Sequence, residues 1–243
     1  MIIYGINPVL EALRAGRVKE LRVRDGGGGR LRDVLSVAGE QGIRVRRVGT
    51  DALDRDAQRG VHQGVVALVE DAAEYSIEDL IRKADGPPLL VVLDGIEDPH
   101  NLGAILRTAD AAGAHGVVIQ SRRAAALGGA ASKASAGAIS HIRIAEVVNI
   151  ARALEELKEA GVWTVGLAGE GATPYDAIDF TVPTAVVLGA EGTGLRRLVR
   201  ERCDFLASIP MLGHVPSLNV SVAAGVTLYE AVRQRRGPRP DRG

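Results

Sequence analysis

From residue 89 onward the chain repeats one rhythm: a short, mainly apolar run, then a longer stretch of mixed polarity. The runs Leu89–Leu93, Gly116–Ile119, Trp163–Leu167, Ala185–Leu188 and Phe205–Ile209 predict strands. The stretches from about Leu102 to Ala112, Ile150–Ala160, Leu195–Arg200 and from about Leu218 to Gln234 predict helices. Strands that lack polar alternation are covered on both faces. Their alternation with helices predicts an α/β fold built on a mostly parallel sheet.

The first 70 residues read as a smaller α/β unit. Asn7 and Pro8 predict a helix running through Ala15, because Asn caps well and Pro is tolerated at the first helical position. A strand around Glu20–Arg24, a turn at Gly26–Gly29 and a helix over Leu31–Gln41, ended near Gly42, come next. Strands near Ile43–Val48 and Val65–Val69 follow. The acidic stretch Glu70–Asp79 ends in a short helix, and with Gly86-Pro87-Pro88 it marks a linker. The expected division is residues 1–70, a linker over 71–87, and residues 88–243. The closing RRGPRPDRG is expected to be disordered.

Composition narrows the class. At 243 residues, with 46% hydrophobic and 25% charged, the chain can bury a real core as a soluble globular protein. Its single cysteine, Cys203, excludes an internal disulfide and fits a reducing, cytoplasmic setting. No basic-then-apolar leader opens it and no apolar run approaches membrane-spanning length, so neither secretion nor membrane association is expected. Net charge is zero, but ten Arg or Lys stand against five acids through Arg47. A solvated basic face and a phosphate-tracking surface both account for that surplus. Aromatics make up only 3%, so base stacking is not the main resource.

Ligands of open parallel sheets bind beyond the carboxyl ends of strands, which singles out three loops rich in Gly and Pro. The first runs from Asp94 to Ile119, the second from Gly189 to Arg197, and the third follows Ile209 as PMLGHVPSLNVSVAAG. In the first, Asn101 is the expected helix cap. Arg107 is the strong charge on a helix otherwise small and apolar, either bridged to Asp110, Glu97 or Asp98 or clamping a phosphate. In the second, Glu191 lies among glycines, with Arg196 and Arg197 as candidate partners and a helix N-terminus as an alternative stabiliser. In the third, Ser217 either caps the last helix or meets a ligand, leaving Asn219 to face the same cleft, while Ser221 bonds back to a carbonyl. His214 reads as a solvated loop residue. The quartet GGGG lacks the Lys-Ser/Thr of a P-loop. With no H-E-x-x-H, paired cysteines, G-x-S-x-G or Walker motif, metal hydrolysis, acyl transfer and NTP hydrolysis lose weight, and no metal is expected.

The stretches NLGAILRTADAAGAHGVVI, VVLGAEGTGLRR and IPMLGHVPSLNVSVAAGVTLYEA, in this order, resemble the three signature motifs of the SpoU (TrmH) family of RNA ribose 2′-O-methyltransferases. YGINPVLEAL and GVHQGVVALV look like the N-terminal substrate-binding domain of the branch that methylates a guanosine of 23S ribosomal RNA. His214 and Pro216 depart from the third motif, where many relatives carry small polar residues. The resemblance implies a SPOUT-type α/β domain with a deep C-terminal trefoil knot, a small N-terminal domain like ribosomal protein L30e, and a homodimer whose interface includes the terminal helix. Knotted chains are rare, and no periodicity predicts one.

The resemblance also implies S-adenosylmethionine (AdoMet) as cofactor, held by knot loops at Leu167, Ala168 and Gly169, at Leu188, Gly189 and Gly192, and at Ile209, Met211 and Leu218. Arg107 would activate the ribose hydroxyl, with Asn101, Glu191, Ser217 and Asn219 orienting it, the ribose and the cofactor. Literal general-base action competes with phosphate pairing and alkoxide stabilisation, because a guanidinium is scarcely ever neutral at pH 7. Two other functions stay open. One is methylation of tRNA or of another 23S nucleotide, as in antibiotic resistance; the other is a non-catalytic RNA-binding or ribosome-assembly role.

Overall fold

The computed structural model describes residues 2–26, 29–58, 60–69, 75–121, 135, 138–169 and 173–236. The centre of the expected glycine turn (Gly27, Gly28), the acids Glu70, Asp71 and Glu74, and residues 237–243 of the tail expected to be disordered from 235 lie outside those residues. Arg235, by contrast, closes the last helix, against that expectation, because four backbone carbonyls hold its guanidinium. Two compact units form. One comprises Met1–Ala73, Asp98–Arg107 and Ala125–His141; the other comprises Glu74–Glu97, Thr108–Ala124 and Ile142–Gly243.

In the first unit, strands β1 (Ile2–Tyr4), β2 (Val18–Arg24), β3 (Arg44–Val48) and β4 (Val65–Val69) form a sheet in the order β1-β4-β2-β3. β4 runs antiparallel to both neighbours, and β2 and β3 pair in parallel. Helices α1 (Ile6–Arg14) and α2 (Arg32–Glu40) bury Val9, Leu13, Val34 and Ala38 against Leu21, Val23, Val65 and Ala67. Helix α3 (Thr50–Asp56) supplies Leu53 to a second cluster with Ala57 and Val66. The start of α1 differs from expectation. Gly5, at φ 95, is the cap, Asn7 lies inside the first turn, and the Gln63 Oε1 accepts the Ile6 N–H at 2.9 Å. A left-handed backbone that only glycine adopts freely sets the boundary, ahead of the Asn cap.

The second unit holds β5 (Leu89–Asp94), β6 (Gly116–Gln120), β7 (Ile144–Val147), β8 (Trp163–Leu167), β9 (Thr173–Pro174), β10 (Thr184–Gly189) and β11 (Phe205–Ser208). Their order is β7-β6-β5-β10-β8-β11-β9, and every described pairing is parallel. β5 is buried at all six positions, as a central strand covered on both faces must be. Helix α4 (Ile77–Arg82) begins with a Ser76–Asp79 capping box, which satisfies two open N-terminal donors. Helix α5 (Pro99–Ala111) follows β5 in the chain. Helix α6 (Ile150–Glu159) lays Ile150, Leu154 and Leu157 on Leu90, Val92, Val118 and Val187. Helix α7 (Arg197–Arg202) adds Val199 to the same core.

The last helix, α8 (Val220–Arg235), is fastened at its end. Arg235 donates to the carbonyls of Pro87 (2.6 Å), Phe180 (2.8 Å), Pro88 (3.0 Å) and Val182 (3.0 Å). Gln234 donates to Ile178 O and accepts from Phe180 N. Among the described residues no helix is long and apolar enough to cross a membrane.

Candidate active site

Because β5, β10, β8 and β11 are parallel neighbours, their following loops open on one edge of the sheet. The ladder fixes their heights: Gly189 pairs with Asp94, Val187 with Gly166, and Leu167 with Ala207. Strands lie about 4.8 Å apart, so the loops after β10 and β11 begin only about 10 Å from each other. All three expected cofactor loops leave from this edge.

The loop after β10 is tightly built. Ala190 and Gly194 exchange backbone hydrogen bonds of 3.1 and 2.8 Å, leaving Glu191, Gly192 and Thr193 at the tip. Gly192 and Gly194 have φ of 80 and 67, the left-handed region that glycine suits. Gly189 is required by contact, since a Cβ there would lie 2.2 Å from Gly194 C. The expected partners of Glu191 are engaged elsewhere. Arg197 pairs with Glu201 at 2.8 Å, and Arg196 binds Asp94 through its N–H (2.8 Å) and Nε (2.6 Å). Asp94 is wholly buried at the end of β5. Loop motifs alone do not single it out, although an acid ending an otherwise apolar strand is a signal the sequence does carry.

Glu191 instead accepts from Asn219 Nδ2 at 3.1 Å. Asn219, not Ser217, caps α8: its Oδ1 accepts from the Ser221 N–H (2.9 Å) and the Ser221 hydroxyl (2.6 Å). Ser221 therefore bonds to the cap and not back to a helix carbonyl. With the carbonyl oxygen committed, the Asn219 amide must present its NH₂ to Glu191. Both residues are exposed, where one such bond adds little to stability. Stability does not explain why the two loops are joined there. Ser217 and His214 are exposed in the preceding loop.

Asn101 is not the cap of α5. The helix starts at Pro99, and the Asp98 carboxylate accepts from the His100 N–H at 2.9 Å, so Asn101 falls in the first turn. It is 8% exposed, whereas Arg107 is exposed. Six residues of helix turn the side chain by about 120° and rise about 9 Å, so the helix alone does not bring the two together. Among the described residues the Arg107 side chain has no hydrogen bond or ion pair, and the bridges to Asp110, Glu97 or Asp98 do not form. Cys203, beside this edge's strands, is pushed up to about 12 by burial, so its thiol is no nucleophile at neutral pH.

Residues 88–229 match the SpoU rRNA Methylase family, and residues 2–75 match the RNA 2′-O ribose methyltransferase substrate binding family. The chain is 48% identical over 239 residues to the 23S rRNA (guanosine-2′-O-)-methyltransferase RlmB of Xylella fastidiosa, covering 96% of each. It is 45% identical over 243 residues to the protein of that name from Pseudomonas syringae pv. tomato, covering 98% of this chain and 97% of that one. The crystal structure of the SpoU methyltransferase AviRb from Streptomyces viridochromogenes, in complex with AdoMet, shares the fold with a TM-score of 0.82. That match is 29% identical and covers 98% of this chain and 91% of the other. Matched in both segments and nearly half identical along almost its whole length, the chain belongs to the SpoU rRNA methylase family.

Proposed function

We propose that this protein transfers a methyl group from AdoMet to the ribose 2′-hydroxyl of a guanosine in 23S ribosomal RNA. The observation that carries the reading is the Glu191–Asn219 bond, which joins the loop after β10 to the cap of α8, in a chain nearly half identical to 23S rRNA guanosine methyltransferases.

AdoMet presents an adenine, a sulfonium and an amino-acid end, so its cradle needs half-buried apolar side chains beside accessible backbone. Leu167, Ile209, Met211 and Leu218 are half-buried, and Gly169 and Gly192 are exposed. Leu188 is buried and Gly189 has no side chain, so both contribute backbone only. The Ala168 N–H is already held by Ala207 O at 2.9 Å, which leaves Ala168 a shaping role. These residues fit the group. When bound, AdoMet supplies a methyl made electrophilic by its sulfonium. The chain's own polar residues must align the ribose hydroxyl and manage its charge as its proton leaves. Arg107, exposed and uncommitted, pairs with the target phosphate and stabilises the charge growing on the ribose oxygen. Glu191, oriented by Asn219, and the exposed Ser217 direct the hydroxyl. Asn101, buried in the first turn of the helix that carries Arg107, helps to orient Arg107, the ribose and the cofactor.

The same reading includes a C-terminal trefoil knot, supported by β10 entering the sheet between β5 and β8, which precede it in the chain. It includes a homodimer through α8, supported by Val222 and Tyr229, half-exposed and seven residues apart. It divides the chain into residues 1–70, an RNA-binding domain like ribosomal protein L30e, a linker over 71–87, and a methyltransferase domain over 88–243, in a cytoplasmic enzyme. The test is Arg107→Ala. Calorimetric AdoMet affinity should stay largely unchanged while the single-turnover methylation rate falls at least ~100-fold. A near-normal rate would remove Arg107 from the chemistry.

A further inference from the structure

We propose that Asp94 and Arg196 are a positioning pair that sets the Glu191 loop; the inference rests on the reading of the site given above. Both ends of that loop converge on one residue of β5. At its start, Gly189 sits opposite Asp94 in the parallel ladder. At its end, the Asp94 carboxylate takes the Arg196 N–H at 2.8 Å on one oxygen, and Nε at 2.6 Å with Nη2 on the other. The six residues between form a closed span whose two anchors are the backbone and the side chain of Asp94. Within it, Ala190 and Gly194 are cross-bonded, and Ala190 packs close to Gly95, the residue after Asp94. The tip, Glu191, is then the point that reaches Asn219.

A purely stabilising pair is the simpler alternative. Two observations argue for more. Asp94 is fully buried while the Arg196 side chain is 49% exposed, so a carboxylate is kept out of water at the one sheet edge where the loops gather. Apolar residues in place of a buried ion pair are often as stable or more so, whereas a carboxylate that holds the Arg196 N–H on one oxygen and two guanidinium nitrogens on the other fixes both the backbone and the side chain of that residue. In addition, Arg196 is the N-cap of α7 and makes no side-chain cap bond, while its own N–H is held by Asp94. The chain's height and direction at that point are set from β5.

Arg196→Ala, Arg196→Lys and, as a control, Asp204→Asn test this. Asp204 binds Thr164 and Lys158 and belongs to no part of the proposed site. The first readout needs neither cofactor nor RNA: native amide exchange at Ala190 and Gly194 should speed at least ~10-fold in Arg196→Ala, with Val186 unchanged, since local opening governs such exchange. The second is methyl transfer, which should fall by ~10–100-fold in Arg196→Ala, because misplacement by about 1 Å costs that order. Arg196→Lys should recover part of both, and also serves if Arg196→Ala fails to fold. Asp204→Asn should lose thermal stability while keeping loop protection and turnover. Unchanged protection at Ala190 and Gly194, or turnover falling equally in Asp204→Asn, would overturn the proposal. A wild-type protein that methylates no 23S RNA, yet shows the exchange pattern, would sink the functional reading and leave the clamp standing.

Discussion

Gly189→Ala separates two reasons for a glycine that sequence alone cannot distinguish. The resemblance makes Gly189 a cofactor residue, whereas the structure makes it a packing necessity. A methyl at Gly189 would lie 2.2 Å from Gly194 C, 2.3 Å from Leu195 N and 2.5 Å from Gly194 O. Non-bonded carbons settle at about 3.5–4.0 Å, so the 194–195 backbone must retreat by more than about 1 Å. Overpacking of this kind costs about 1–3 kcal/mol. Opening the loop also loses the Ala190–Gly194 pair of hydrogen bonds at about 1 kcal/mol each. The total, about 3–5 kcal/mol, should lower the midpoint of thermal unfolding by roughly 6–20 °C, at about 2–4 °C per kcal/mol for a chain of this size. Scanning calorimetry without ligand reads this directly. Two glycines grade the result. Gly192→Ala meets no atoms within 4 Å but sits at φ 80, so it should cost only about 1 kcal/mol of strain. Gly213→Ala meets nothing and has no left-handed backbone, so it should be neutral. If Gly189→Ala kept its midpoint within about 2 °C and lost only AdoMet binding, the packing argument would be wrong.

Other consequences are as direct. His115 accepts the Leu89 N–H at Nδ1, and burial, helped by Arg235 and Arg143 and opposed by Asp85, holds its pKa below the ordinary value. The unfolded chain then binds a proton near pH 6.5 that the folded chain resists. Stability should rise with pH from about 5.5 to 7.5, and more steeply than in His115→Gln; equal slopes would refute the assignment. Cys203, with its thiol pushed up to about 12 by burial, should alkylate at pH 8 only after denaturant is added, and rapid labelling of the native protein would count against it. Arg44, Arg46 and Arg47 stand exposed on edge strand β3. Replacing all three with Ala should reduce the dependence of log RNA affinity on log salt by about 0.7–0.9 for each RNA phosphate that the arginines had neutralised. An unchanged slope would leave that edge a solvated face.

Local patterns are readable where burial is simple. Val65–Val69 and Trp163–Leu167 match the observed strands residue for residue, because mainly apolar runs without polar alternation fit a sheet buried along most of its length. Elements with little buried surface escape. β1 has three residues, and α3, TDALDRD, buries only Leu53. Helix starts slip for one reason: Asn7 and Asn101 have the chemistry of caps, while Gly5 with Gln63, and Pro99 with Asp98, set the boundaries. In the site, the motifs name Glu191 and Asn219, and the structure bonds them. The Arg196 partner is not legible locally, since Asp94 lies 102 residues away and only the sheet order makes them neighbours. Both expected partners of Glu191 pair with other carboxylates.

Mass-spectrometric mapping of ribose methylation in 23S RNA from cells with and without the gene decides whether this protein methylates a 23S guanosine. One 2′-O-methylguanosine should disappear without the gene, return with the wild-type protein and fail to return with Arg107→Ala. Identical methylation maps with and without the gene, or a lost mark on tRNA alone, would contradict that activity.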